Sequence, residues 1–209
     1  TMGKDTFAEY MRSYGISELT GIDLPNEVRG RADNLSSPRD VEYATAAFGQ
    51  GISMTPIATA RALAVLANGG VLVQPQVVKR VEYRLGLAKD KEPVIGKRII
   101  RQETSKEITR MLVVVVDKAL RDGKVKLDRY SVAAKTGTAQ MPKIGGSGYY
   151  TDRYLHSFFG YFPAYNPRFL AFLYSVYPKG ANYASETLTT PFINITKYLT
   201  NFYTIPPDR

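Results

Sequence analysis

Residues 133–141 read AAKTGTAQM, and the tetrapeptide Lys135-Thr136-Gly137-Thr138 is the part of the sequence that decides how the rest is interpreted. On a β-strand, alternate side chains share a face, so the lysine and the glycine point one way and the two threonines the other. The lysine supplies a positive charge, and the glycine lets a ligand come close to the backbone. Threonine hydroxyls and strand N–H groups can bind a carboxylate or an oxyanion. The pattern therefore predicts a site for an anionic acyl substrate.

Two other interpretations of the tetrapeptide have to be weighed. A phosphate-binding loop of the Walker type does not fit, because there the Gly-Lys-[Ser/Thr] sequence follows a glycine-rich run. A lysine on an ordinary surface strand does fit, since four residues can match a pattern by chance. The rest of the chain has to decide between a site and a plain strand.

Composition excludes several kinds of site. The 209 residues are 44% hydrophobic, enough for one substantial core or two small ones. The absence of cysteine excludes a disulfide framework, a thiol nucleophile and a zinc–thiolate site, and a single histidine, His156, argues against a multi-histidine metal site. No apolar run reaches the roughly 20 residues of a membrane span, and no signal-peptide pattern opens the sequence, so we expect a soluble chain.

The excess of positive charge is concentrated in one segment. Of the net charge of +9, the residues 79–129 carry 15 Lys/Arg against 8 Asp/Glu, a net of +7. A basic stripe can bind nucleic acid, but this one holds a single aromatic residue, Tyr83, and no nucleic-acid-binding motif. We therefore favour a solvated or membrane-facing surface over nucleic-acid binding.

Hydrophobic spacing predicts four helices. They cover Phe7–Tyr14, with Gly15 as the stop, and residues 55–70, 104–122 and 187–202. Thr55 and Pro56 form a helix start, and Thr104 with Glu107 forms a capping-box pattern. The last helix is expected to turn one set of residues inward: Phe192, Ile195, Tyr198, Leu199 and Phe202. The segment 21–30 is turn-rich and predicts an exposed loop.

Strand patterns follow the second and third predicted helices. Residues 71–83 are rich in β-forming residues. Pro75 lacks an N–H to donate to a neighbouring strand, so we expect their first half to be an edge strand or a bend. Three further strands are predicted over 130–140, 157–163 and 168–177, and the short AYNP turn (164–167) makes the last two an antiparallel pair. This order favours an α+β fold, an antiparallel sheet flanked by helices. A sheet of three strands is small for so many apolar side chains. We therefore expect a further part of the protein to pair with the sheet or to cover it.

Five stretches in order resemble the class B penicillin-binding proteins. They are TGIDLPNE (20–27), similar to the family's TGIDLPGE, AFGQGISMTPIATARALAVLANGGVLVQP (47–75), AAKTGTAQ (133–140), HSFFGYFPAYNPRF (156–169) and YASETLTTPF (183–192). K-T-G is the third motif of the penicillin-interacting serine enzymes, after S-x-x-K and a second serine motif. The resemblance covers nearly the whole chain and implies a D,D-transpeptidase domain that cross-links peptidoglycan peptides and is acylated by β-lactams.

The resemblance also implies roles for the tetrapeptide. Lys135 would hold the serine of the family's second motif, S-x-N, and set the local positive potential. Thr136 and Thr138, with Gly137 between them, would bind the carboxylate of a D-Ala-D-Ala end or of a penicillin, and the Thr138 N–H would form half of the oxyanion hole.

The nucleophile of that family is absent from these 209 residues, which contain no Ser-x-x-Lys and no Ser-x-Asn. Ser131 precedes Lys135 by four residues, and on a strand that spacing is about 13 Å at 3.3 Å per residue, too far for a serine and its base. Ser175 and Lys179 have the same unsuitable spacing. We therefore expect residues 1–209 to be the C-terminal portion of one transpeptidase domain, inactive alone.

Two other functions stay open. One is a non-catalytic binding or scaffold module with the same fold, and the other is a β-lactamase or β-lactam sensor domain, which shares K-T-G. His156 could be a general base, but we favour a loop or strand-edge residue beside the active strand. The loop 145–150 is either a mobile lip or a plain turn, and Tyr149, Tyr150 and Tyr154 line a groove or pack in the core.

Expected partners follow from the resemblance. They are a peptidoglycan stem peptide or a β-lactam, the N-terminal part of the same domain, and divisome or elongasome proteins. Neither nucleic acid nor a cofactor or metal is expected. The resemblance implies an extracytoplasmic domain whose parent protein is anchored in the membrane.

Overall fold

The structure, a computed structural model, describes residues 2–209; Thr1 lies outside the described residues. The chain forms two compact units that divide between Ser105 and Lys106. Within the described residues, every helix is too short or too polar to cross a bilayer.

The first unit is mainly helical. Its helices are α1 (Lys4–Ser13), a 3-10 helix (Asp33–Ser36), α2 (Asp40–Ala46) and α3 (Pro56–Ala67). Four short strands, β1 (Val71–Val73), β2 (Arg80–Glu82), β3 (Ala88–Asp90) and β4 (Ile95–Arg98), form two antiparallel pairs, β1 with β4 and β2 with β3. The core gathers small and aliphatic side chains: Ala8, Ile16, Leu35, Ala46 and Ala62.

Helix α3 confirms its predicted start and stop. The Thr55 hydroxyl accepts a hydrogen bond from the Ala58 N–H at 3.2 Å, and Pro56 occupies the first turn, where its missing N–H has no helical partner to lose. Beyond the helix, Gly70 has a φ of 98°, and a Cβ there would lie 2.1 Å from the Ile100 carbonyl oxygen. Only glycine fits this close approach of two backbones.

The loop of residues 20–27 is tied down by its own carboxylates. Glu27 accepts hydrogen bonds from the Thr20 N–H and hydroxyl and from the Gly21 N–H at 2.5–3.0 Å. Asp23 accepts from the Val77 and Val78 N–H groups at 2.8 and 3.0 Å and pairs with Lys91 at 2.8 Å. The predicted loop is confirmed, and its polar side chains are occupied internally.

Both carboxylates are held in their charged form. The Lys91 hydrogen bond, with the two backbone N–H groups, holds the pKa of Asp23 far below its usual range. Burial raises the pKa of Glu27, but the hydrogen bonds from Thr20 and Gly21 and the charge of Arg61 outweigh it, so the net shift is downward. The loop is therefore more stable when these groups are ionised.

The second unit contains the longer sheet. The chain enters it within α4 (Gln102–Val114), which continues as a π-helical turn (Val115–Ala119) and a 3-10 turn (Leu120–Gly123). Strands β5 (Ala133–Pro142), β6 (Tyr149–Phe162) and β7 (Phe169–Val176) follow, and then α5 (Ala184–Thr187) and α6 (Thr189–Phe202). The three strands form an antiparallel sheet in the order β5-β6-β7, which confirms the predicted meander and the α+β class.

One face of this sheet is closed by α6 and the π-helical turn. Phe158 and Phe162 of β6 are fully buried and contact Phe192 of α6, with ring centroids 4.5 and 6.1 Å apart. On the other face, the Tyr161 hydroxyl bonds to Thr109 of α4 at 2.8 Å, and further along the strands Leu155, Tyr174 and Val176 are exposed. Among the described residues, the second face is thus covered near Tyr161 and open near Leu155, Tyr174 and Val176.

Several predicted boundaries were wrong. Helix α4 begins two residues early, so Thr104 lies inside the first turn and cannot cap the helix. The helical path breaks at Arg121, whose φ is positive and whose guanidinium donates to the Ser185 and Glu186 carbonyls. Tyr198 and Phe202 of α6 are exposed rather than inward, since the buried stripe runs through Phe192, Ile193, Thr196 and Thr200.

Residues 204–209, the C-terminal strap, return to the start of β5. The Tyr130 hydroxyl donates to the Ile205 carbonyl at 2.8 Å, and the Ser131 N–H and hydroxyl both donate to the Asp208 carboxylate. Arg209 donates to both oxygens of Asp117 at 2.5 and 2.9 Å. The strap therefore fixes the entry of the K-T-G-T strand.

Candidate active site

The K-T-G-T tetrapeptide lies on β5, an edge strand that pairs only with β6 among the described strands. Lys135 stands opposite Phe159, Gly137 opposite Ser157 and Thr138 opposite His156. An edge strand leaves half of its N–H and C=O groups without a strand partner. Those groups are available to a ligand.

Two side-chain contacts show which backbone groups face the free edge. The Ser157 hydroxyl on β6 donates to the Gly137 carbonyl at 3.4 Å, so the backbone of Gly137 faces β6. Lys135 Nζ donates to the Thr136 carbonyl at 2.7 Å. Because backbone direction alternates along a strand, Thr136 and Thr138 direct their N–H and C=O groups to the free edge. The Thr138 N–H is thus placed to donate to a ligand.

Lys135 is exposed, and none of the ion pairs formed within residues 2–209 includes it. Its side chain starts on the face of β5 opposite to Thr136 and Thr138, as predicted, and bends to the strand's own carbonyl. Its charge is therefore not neutralised locally and can act on an anion at the edge.

The Thr138 hydroxyl has a partner that the sequence did not reveal. Ala184 N–H, at the start of α5, donates to Thr138 Oγ1 at 3.0 Å. A hydroxyl oxygen that accepts a hydrogen bond still has its own hydrogen to donate. Thr138 can therefore offer both its N–H and its O–H to a bound anion.

Gly137 has a structural reason for its identity in addition to ligand access. A Cβ at this position would lie 2.6 Å from Ser157 Oγ, closer than side chains pack. The nearest atom is the end of a short side chain, so a small rotation or substitution of Ser157 would relieve the contact.

Ser131 and Ser175, the two serines that precede a lysine by four residues, have other partners. Ser131 is buried, donates its hydroxyl to Asp208 and accepts from the Ala164 N–H at 3.0 Å, so it stabilises the strap. Ser175 lies on β7 opposite His156, and Lys179 sits over the Tyr177 ring at 3.4 Å. Neither serine is paired with a lysine.

His156 lies in the central strand and is fully buried, so the interpretation as a loop or strand-edge residue was wrong. Its Nδ1 is 2.9 Å from Thr187 Oγ1. The signal available in the sequence was the apolar run that follows it, which places residue 156 at the start of a buried stretch.

The hairpin beyond the tetrapeptide is longer than expected. Strand β6 begins at Tyr149, so residues 149 and 150 of the predicted loop are strand, and the hairpin tip is the segment 143–148. Arg153 stacks between two rings, 4.0 Å from Tyr150 and 5.1 Å from Tyr177. Tyr149 and Tyr150 are thus part of a strand, half-buried, and Tyr154 bonds to the Thr151 carbonyl.

Within residues 2–209, no three His, Cys, Asp or Glu side chains are grouped so that they could hold a metal ion. The chemistry that the described residues offer is anion binding by a lysine, two hydroxyls and edge N–H groups.

Comparison with known proteins defines the class. Residues 1–196 match the family model of the penicillin binding protein transpeptidase domain. The chain therefore belongs to this family, and the resemblance seen in the sequence is confirmed.

Individual relatives agree with the family assignment. The chain is 34% identical over 194 residues to stage V sporulation protein D of Bacillus subtilis, covering 92% of the chain and 30% of that protein. It is 30% identical over 207 residues to peptidoglycan D,D-transpeptidase FtsI of Buchnera aphidicola, covering 97% of the chain and 34% of the relative. The chain thus spans about a third of the length of these relatives.

Solved structures share the fold. The crystal structure of penicillin binding protein 3 from Mycobacterium tuberculosis superposes with a TM-score of 0.88 at 26% identity, covering 99% of this chain and 48% of that one. The same protein complexed with ampicillin gives a TM-score of 0.87. The α+β architecture of this chain is therefore that of the transpeptidase family.

Proposed function

We propose that this chain is the C-terminal portion of a serine D,D-transpeptidase domain, whose parent protein cross-links peptidoglycan peptides and binds β-lactams. The observation that carries the proposal is the edge strand Lys135–Thr138, which presents an unpaired lysine, threonine hydroxyls and edge N–H groups together. Family membership supports it, as do relatives named as D,D-transpeptidases.

The proposed roles follow the chemistry of acyl transfer. A serine oxygen, supplied from outside these 209 residues, attacks the carbonyl carbon of the penultimate D-Ala, and the carbonyl oxygen becomes an oxyanion. The Thr138 N–H donates to that oxyanion, while the Thr136 and Thr138 hydroxyls bind the substrate carboxylate beside Gly137. Lys135 supplies positive potential. The C–N bond then breaks, and the serine's proton ends on the leaving nitrogen.

A β-lactam would enter by the same route. Its carboxylate takes the place of the D-Ala carboxylate, and its ring amide is the bond that breaks. The ring nitrogen stays attached to the acyl group, so no leaving group departs and the serine stays acylated. A structural neighbour, penicillin binding protein 3, was crystallised with ampicillin, which supports β-lactam binding as the test reaction.

The location and assembly of the parent protein are part of the proposal. A peptidoglycan substrate lies outside the cytoplasmic membrane, so the domain would be extracytoplasmic and its parent anchored in that membrane. The proposed partners of the parent protein include the proteins of a division- or elongation-type complex. One relative is named as a sporulation protein and another as peptidoglycan D,D-transpeptidase FtsI.

Labelling with a fluorescent penicillin tests the proposal. The 209-residue chain should stay unlabelled, because it contains no Ser-x-x-Lys. The longer protein encoded by the same gene should be labelled covalently, and an excess of ampicillin should prevent it. Labelling of the chain alone would contradict the missing nucleophile, and an unlabelled longer protein would favour a non-catalytic module.

The stability of the acyl-enzyme separates a transpeptidase from a β-lactamase. A transpeptidase should keep the fluorescent acyl group for many minutes after free penicillin is removed. Rapid loss of the label, with accumulation of hydrolysed penicillin, would instead identify a β-lactamase.

A further inference from the structure

A buried histidine–threonine pair lies behind the K-T-G-T strand. His156 is fully buried on β6, directly opposite Thr138 on β5. Residues that pair across two strands share a face, so the imidazole and the Thr138 side chain are neighbours. His156 Nδ1 is 2.9 Å from Thr187 Oγ1, on the one-turn helix α5.

Helix α5 contacts both residues of this strand pair. At its first residue, the Ala184 N–H donates to Thr138 Oγ1 at 3.0 Å. At its last residue, the Thr187 hydroxyl lies 3.4 Å from the Ala184 carbonyl and 2.9 Å from His156. A displacement of Thr187 would therefore shift the N–H that holds the Thr138 hydroxyl.

The position of the imidazole proton follows from the second ring nitrogen. His156 Nε2 is buried and has no hydrogen-bond partner among the described residues. A proton on Nε2 would be a buried donor without an acceptor, which is rarer and more costly than an acceptor without a donor. A proton on Nδ1 is donated to Thr187, whose own hydrogen then goes to the Ala184 carbonyl. The Nδ1–H tautomer is the one that fits.

We propose that His156 is a positioning residue for Thr138, acting through Thr187 and α5. The Nδ1–H bond to Thr187 holds α5 in place, and the Ala184 N–H then occupies the Thr138 oxygen as acceptor. The Thr138 hydroxyl hydrogen is left to be donated to the carboxylate of the substrate or β-lactam. This role rests on the proposed function of the K-T-G-T strand.

The first test addresses the tautomer in the 209-residue chain. His156 is the only histidine, so ring ¹⁵N signals in a long-range ¹H–¹⁵N spectrum belong to it without ambiguity. We expect a protonated Nδ1, and we expect Thr187→Val to shift that signal while Thr187→Ser does not. An Nε2–H tautomer, or an Nδ1 signal indifferent to Thr187→Val, would overturn the contact.

The second test measures the consequence in the longer protein that contains this chain. Thr187→Val is nearly isosteric and removes only the hydroxyl. It should lower the second-order rate of acylation by penicillin about tenfold, mainly through weaker initial binding, since one hydrogen bond to a charged group is misplaced. Thr187→Ser keeps the hydroxyl and should acylate like the unsubstituted protein.

A matched pair at the histidine checks the direction of the bond. The amide of His156→Asn lies near the former Nδ1 and should retain most of the acylation rate, whereas the amide of His156→Gln lies near the former Nε2 and should not. A purely space-filling role for the imidazole would give no such difference between the two amides.

The outcomes separate the two proposals. If the unsubstituted longer protein is not acylated, the proposed function fails and the positioning role fails with it. If the unsubstituted longer protein is acylated, and Thr187→Val and His156→Gln are acylated as fast as it is, the positioning role alone is overturned.

Discussion

Two polar stretches of the chain, residues 20–27 and residues 135–138, are used in opposite ways. In the first, the carboxylates of Asp23 and Glu27 accept five backbone or hydroxyl hydrogen bonds and one from Lys91. In the second, Lys135 forms no ion pair with a carboxylate of residues 2–209, and the backbone of Thr136 and Thr138 faces an open edge. A stretch whose polar groups are satisfied internally stabilises the fold, whereas one whose groups are left open can bind a ligand.

The largest expected difference is at Lys135. In the longer protein, Lys135→Ala should lower the rate of penicillin acylation about 100-fold, the scale expected when one charged or oxyanion-stabilising group is removed. The midpoint of thermal unfolding should not change, because the side chain is exposed and bonds only to Thr136. Lys143→Ala, at the exposed hairpin tip, is the matched control and should acylate normally. Equal rates for the two variants would remove Lys135 from the site.

Thr138→Val should have the next largest effect. Loss of the hydroxyl removes one donor to the ligand carboxylate but keeps the N–H. Acylation should therefore slow about tenfold, and the loss should lie in weaker initial binding of penicillin rather than in the chemical step. Thr138→Ser is the control and should behave like the unsubstituted protein. A change confined to the chemical step would mean that the hydroxyl does not bind the ligand carboxylate.

Gly137→Ala tests which of two reasons requires glycine at this position, packing against Ser157 or access of the ligand to the backbone. Its Cβ would meet Ser157 Oγ at 2.6 Å, so the variant should unfold at a lower temperature and label a few-fold more slowly. Adding Ser157→Ala removes the contact and should restore the unfolding temperature. If labelling recovers as well, Gly137 matters only for packing. We expect labelling to stay reduced, because the Cβ remains on the face of β5 that carries Lys135 and hinders the close approach of the proposed ligand to the backbone.

Asp23→Asn should affect stability alone, and by the smallest amount. The pKa of Asp23 is lower in the folded chain than its ordinary value of 3.8, so its contribution is complete above about that pH and is lost as the pH falls below it. The variant should unfold at a lower temperature than the unsubstituted chain at neutral pH, and the gap should close in acid. The gap should narrow progressively as the pH falls from 3.8 toward the much lower folded pKa of Asp23, and a gap that does not narrow at all below pH 3.8 would show that charge is not the cause. Penicillin labelling of the longer protein should be unaffected.

Elements governed by neighbouring residues could be predicted from sequence. Helix α3 carries its own cap in Thr55 and its own stop in Gly69 and Gly70, so local pattern and structure agree. The three strands of the second unit likewise follow from apolar runs and one short turn. The tetrapeptide could be proposed as a site from sequence because its four residues are contiguous, and its roles stay a prediction.

Features governed by distant residues could not be predicted. The helical path after α4 breaks at Arg121, whose guanidinium binds carbonyls of α5, 64 and 65 residues away. The partner of Thr138 is Ala184, 46 residues further on, and alanine gives no signal because the backbone makes the contact. His156 seemed to lie in a loop because polar and tyrosine residues precede it, but strand β6 begins before them.

The C-terminal strap has a consequence for when the site is formed. Ser131 bonds to Asp208 across 77 residues, and Asp117 bonds to Arg209 across 92. Contacts of such sequence separation form late, because the entropy of closing a long loop must be overcome before they contribute. We therefore expect the entry of β5 to order only after residues 204–209 have left the ribosome or the secretion channel. Until then the edge of β5 proposed to bind penicillin would be incomplete, and a nascent chain stalled before residue 204 should be more accessible to protease around residues 128–132 than the released protein.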